Sequence, residues 1–77
     1  MESIKLYDYI GHKIGESAEK LQSDDAERFQ VIVTEALRDL VVMNRVAGTE
    51  YVVQIPKEVL DNSECARLAT EIQYEIC

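Results

Sequence analysis

Residues 24–46 read DDAERFQVIVTEALRDLVVMNRV, and the fold depends on how this stretch is read. Ala26, Phe29, Val33, Ala36, Leu40 and Met43 recur in alternating steps of three and four, and Ile32, Leu37 and Val41 widen the stripe. That spacing predicts an amphipathic helix over 25–44, with an apolar face broad enough to floor a core. Asp24 is placed to cap it, with Glu27 three residues on in capping-box spacing. Three acids in the first turn suit the positive end of the helix dipole. A second reading takes Val41–Val46 as the first strand of a β-hairpin, with Ala47–Thr49 as its turn.

Upstream, Ile4, Tyr7, Gly11, Ile14, Ala18 and Leu21 step by three and four behind Ser3, a potential N-cap. They predict a helix over 4–22, with its charges on the opposite half. Gly11 and Gly15 strain this reading, since each costs about 1 kcal/mol relative to Ala inside a helix. A close approach between backbones accounts for Gly11. The link of Gln22–Asp24 is too short for anything but antiparallel neighbours. In that hairpin Ala18 meets Phe29, Gly11 meets Ala36 and Tyr7 meets Leu40.

Downstream, TEYVVQI alternates its side chains, so 49–55 is expected to be a strand. A lone strand leaves its backbone groups unpaired. The expected partner is the same strand of a second copy, through Tyr51 and Val53, or a strand edge in another protein. Pro56 ends the strand and opens a helical turn over 56–60. Asp61 and Glu64 stand in capping-box spacing before a last helix over 63–76, whose apolar face is Cys65, Leu68, Ala69, Ile72 and Ile76. The reading is an α+β chain, mostly α. It has an antiparallel helical hairpin, one short strand and a C-terminal helix, forms a single domain over 1–77, and pairs as a homodimer.

Composition narrows the function. The chain has 77 residues, 47% of them hydrophobic and 30% charged. A chain of this length buries only ~60% of its unfolded surface, so association with a second copy is a common remedy. Its net charge of −7 arises from 15 acids against 8 bases. Free nucleic acid and anionic membranes are repelled by such a chain. There is no apolar run of membrane length. The start, MESIKLYDYIG, lacks the basic beginning and apolar core of a signal peptide. With two cysteines, Cys65 and Cys77, and no Cys/His cluster, neither a zinc site nor a disulfide scaffold is expected. These features point to a reducing cytoplasm, with no metal and no cofactor.

No catalytic motif stands out. His12, the single histidine, lies one turn after Asp8 on the outward side, but no nucleophile or polarising group accompanies it. The expected partner-binding residues are Tyr9, His12, Glu16, Asp24, Asp25 and Tyr74. Exposed tyrosines are enriched where proteins meet, and the acids form a tip suited to a basic surface. Val31, Val42 and Val46 lie opposite the main apolar face, among Glu35, Arg38 and Arg45. They are expected at an oligomer interface unless the last helix covers them. The expected function is that of a small acidic, non-enzymatic regulator or inhibitor that binds a basic or nucleic-acid-binding protein. Small acidic proteins of phages and mobile elements share this profile of size and charge. The alternative is an oligomer that binds or sequesters a small ligand between subunits.

Overall fold

The strand at Tyr51–Ile55 is paired on both sides within one chain. The computed structural model, which describes residues 2–77, places it at the centre of a three-stranded parallel sheet. The elements in chain order are β1 (Glu2–Lys5), α1 (Leu6–Ile14), α2 (Ala18–Asp24), α3 (Ala26–Ala47), β2 (Tyr51–Ile55), α4 (Lys57–Leu60), α5 (Ser63–Ala69) and β3 (Tyr74–Ile76). In register, Ile4 stands beside Val53 and Lys5 beside Gln54 on one side. On the other side Tyr74 stands beside Val53 and Ile76 beside Ile55. Mostly helical content holds, at 64%. The antiparallel hairpin as the organising unit does not, and neither does the single strand.

Parallel neighbours require crossover connections, and this chain supplies two. α1, α2 and α3 carry the chain from β1 to β2; α4 and α5 carry it from β2 to β3. Right-handed crossovers that step in the same direction put both sets of helices on one face of the sheet. The burial pattern agrees. Val53 and Ile55 are fully buried in the main core, with Ile4 packed against it. On the opposite face Gln54 donates to the Ser3 hydroxyl at 2.8 Å, and Val52 stands outside the core cluster.

The expected helix over 4–22 is three elements. Residues 2–5 extend as β1, because pairing with β2 satisfies more backbone groups than another helical turn would. α1 then runs to Ile14 and stops at Gly15, which is left-handed at φ 72° and donates its N–H to the Gly11 carbonyl at 2.9 Å. Gly15 supplies a geometry that other residues adopt only at a cost. Gly11 is also explained. A Cβ there would lie 3.0 Å from the Glu16 carbonyl oxygen, so the chain folds back over a glycine. The close approach anticipated at Gly11 is therefore made to the α1–α2 turn, not to Ala36.

α3 runs slightly past its expected end, so residues 41–46 are helical and no β-hairpin forms there. Asp25, not Asp24, is its N-cap; the carboxylate accepts the Arg28 N–H at 3.0 Å. Phe29 packs edge-on against Tyr7, with ring centroids 5.7 Å apart. Asn44 is buried three residues before the helix end. Its amide donates to the Leu40 carbonyl at 3.3 Å, while its own Oδ1 has no partner.

The last helix is likewise shorter than expected. Asn62 caps α5 through the Glu64 and Cys65 N–H groups, in the role assigned to Asp61. The helix ends at Ala69, and 74–76 become β3. The Val53 N–H donates to the Gln73 carbonyl at 3.0 Å, and the Cys77 N–H to the Ile55 carbonyl at 3.2 Å. Glu71, expected to sit unfavourably at a helix C-terminus, instead meets Arg45 at 2.8 Å and Arg67 at 3.5 Å.

Substitution at Gly15 separates the two readings by sign. Nothing lies within 4 Å of a Cβ at this position, so the effect is conformational alone. Gly15→Ala is expected to lower unfolding stability by about 1–2 kcal/mol, the cost of a left-handed Cβ. In a continuous helix the same change would raise it by about 1 kcal/mol. Urea unfolding of the two proteins measures the difference.

Candidate interaction surface

The α1–α2 turn does more than reverse the chain. It opens a hollow of about 300 Å³ lined by Tyr7, Asp8, Gly11, His12, Ser17, Ala18 and Glu19. A second hollow of about 330 Å³ adjoins it, sharing Tyr7, Asp8 and Glu19 and adding Lys5, Gln54, Pro56 and Cys77. Both lie towards the carboxyl ends of the strands, where β1 hands over to α1 and β2 to Pro56. In open α/β sheets this end gathers ligand-binding groups, because successive loops converge there.

Tyr7 is the shared wall. Its hydroxyl donates to Glu58 Oε1 at 3.1 Å and lies 3.4 Å from Gln22 Oε1. Burial, and then the Glu58 carboxylate, push the phenol well above the ordinary tyrosine range. Tyr7 thus ties α1 to both α2 and α4 and holds the hollow open. Asp8 and Glu19 are exposed, and among the described residues neither is in an ion pair. Two uncompensated carboxylates beside an aromatic wall can accept a cationic side chain, with its stem on the ring.

The residues expected to bind a partner are only partly gathered here. His12 is exposed and lines the first hollow. Glu16 lies in the same turn and pairs with Arg28 at 3.8 Å. Asp24 ends α2 in solvent, and Asp25 is engaged as the α3 cap. Tyr9 does not project freely; it is half-buried and packs against the core. Tyr74 is on β3, not on a helix, and lines neither hollow. Tyr7, Asp8 and Glu19 were missed as a group. A continuous helix puts Tyr7 into a seam, and only the break at Gly15 brings Asp8 and Glu19 to one concavity.

The expected strand-to-strand interface is overturned. Val53 is fully buried between β1 and β3, and Tyr51 stands in register with Glu2 of the same chain. Val31, Val42 and Val46 remain 59%, 58% and 85% exposed. α5 packs along the flank of α3, with Gln30 Nε2 3.1 Å from Cys65 Sγ, and leaves those valines uncovered.

Among the described residues no group of three or more His, Cys, Asp or Glu is placed to hold a metal ion. Among the same residues no helix is long and apolar enough to cross a membrane. Comparison with known proteins finds no matching family model, no matching curated protein and no matching solved structure.

The Tyr7 phenol makes a pH prediction. Its proton is held more tightly in the folded chain than in the unfolded one, where tyrosine titrates near pH 10. The stabilisation is whole below about pH 10 and is lost as pH rises through the folded value. Tyr7→Phe is therefore expected to flatten the fall in stability between about pH 9.5 and 11. Urea midpoints across that range check it, and equal slopes for the two proteins would contradict it.

Proposed function

We propose that this protein is a small non-enzymatic regulator that binds a basic surface of another protein through the hollow beside Tyr7. The observation that carries the reading is the pair of exposed carboxylates, Asp8 and Glu19, in no ion pair among the described residues and lining one hollow with the half-buried ring of Tyr7. Lys or Arg from the partner would enter there, charge to carboxylate and stem to ring. His12 lines the same hollow, and Glu16 lies in the adjoining turn. The net charge of −7 speeds the encounter with a cationic partner and disfavours free nucleic acid. The surface of a nucleic-acid-binding protein meets this requirement, since its phosphate-binding groups would accept carboxylates. A reducing cytoplasm suits the two free thiols, Cys65 and Cys77.

The reading is tested by capture on immobilised protein from lysate, in low and high salt. Captured proteins are expected to be basic and to dissociate as salt rises. The double substitution Asp8→Lys with Glu19→Lys is expected to abolish capture without changing the fold, since both side chains are exposed. Capture that survives the double reversal would overturn the assignment of the site. Absence of any basic binder would overturn the function.

A further inference from the structure

We infer that the outward face of α3 is a self-complementary seam for a second copy of this chain. The inference does not rest on the binding hollow, which lies at the α1–α2 turn.

The outward residues of α3 follow one line. At 100° per residue, Val31, Glu35, Arg38 and Val42 fall within a narrow arc, diametrically opposite the buried Val33, Leu37 and Leu40. Their spacing is four, three, four, that of a coiled-coil seam. α1 and α5 hold the two flanks of α3. Lys13 of α1 pairs with Asp39 on one side, and Glu64 of α5 meets Arg38 at 3.5 Å on the other. Between these flanks the arc is open.

The order of residues on the arc is what identifies the occupant. Consider two copies of α3 packed antiparallel about a two-fold axis level with the bond between Ala36 and Leu37. Val31 then shares a layer with Val42 of the second copy, and Glu35 shares one with that copy's Arg38. Symmetry repeats both contacts. One turn outward, Glu27 meets the second copy's Arg45 on the α5 side. On the α1 side the stem of Arg28 covers Val46, the most exposed large apolar residue among the described residues. Acid thus meets base and valine meets valine in one register. An interface related by a two-fold axis has to be complementary to itself, and few helix faces satisfy that by composition alone.

The existing ion pairs leave this register available. Glu35 is in no ion pair among the described residues. Arg38 is 59% exposed and its contact with Glu64 is long. Arg28 approaches the second copy's Arg45, but each already has an acid of its own, Glu16 and Glu71. The surface therefore presents a second copy with unmet charge only where an opposite charge would stand.

Sedimentation equilibrium of the full chain, with a charge-swap cycle, tests the seam. The wild-type protein is expected to form dimers at concentrations below about 1 mM. Val42→Asp is expected to raise the dissociation constant at least about tenfold, as are Glu35→Arg and Arg38→Glu singly, because each change acts twice. The double variant Glu35→Arg with Arg38→Glu is expected to dimerise again, within about threefold of wild type. All three positions are exposed, and circular dichroism is expected to be unchanged. A chain that stays monomeric to about 1 mM would overturn the inference, including one whose valines take up a different protein. A dimer indifferent to Val42→Asp, or a double variant weaker than both singles, would overturn it equally.

Discussion

The pairing of β2 on both of its edges is the constraint on which the structure depends. A strand of five residues cannot keep its donors and acceptors satisfied while its side chains are buried, unless neighbours are supplied on each side. β1 and β3 supply them from the two ends of the chain. Because both neighbours are parallel, each must be reached by a crossover, and the helices are those crossovers. The valine and isoleucine at the centre of the sheet are buried in the core beneath the helices, while residues 2–5 and 74–76 pair the backbone on either edge. The sheet is therefore closed by non-local pairing between strands far apart in the sequence.

That non-local character explains what was legible in the sequence and what was not. α3 is long, regular and capped, and its periodicity places it to within three residues at either end. β2 alternates cleanly and is bounded by Gly48 and Pro56, so it too could be found. β1 and β3 have four and three residues. Neither carries enough alternation to compete with a helical period that happens to run through it. Ile4 belongs equally well to a helical stripe and to the inner face of a strand, and at the other end Ile76 fits a helical stripe as readily as it fits β3. Gly15 held the missing information. Reading it as a tolerated interruption gives one long helix; reading it as a left-handed stop gives a strand, a turn and two short helices. The energetic difference is small locally and is decided by the sheet.

The binding hollow was hidden for the same reason. Asp8 and Glu19 look like ordinary solvent-facing charges on a straight helix. The reversal between Ile14 and Ala18 brings them together, and Gly11 permits it by leaving room for the Glu16 carbonyl. By contrast, the valines on the back of α3 were legible from the first, because a regular helix fixes where each side chain points. What the structure adds is that α5 takes a flank and not the back. The two surfaces lie on separate elements, so a dimer through α3 would leave both acidic hollows free and present two of them to one partner.

The most direct test of the account is whether β2 is paired within the chain. Cross-strand NOEs between the backbones of Ile4 and Val53, and of Val53 and Tyr74, would be measured in a mixture of isotope-labelled and unlabelled protein. The parallel sheet predicts both sets within labelled molecules alone. NOEs that instead connect β2 only to β2 of another molecule, or their absence at Ile4 and Tyr74, would contradict it.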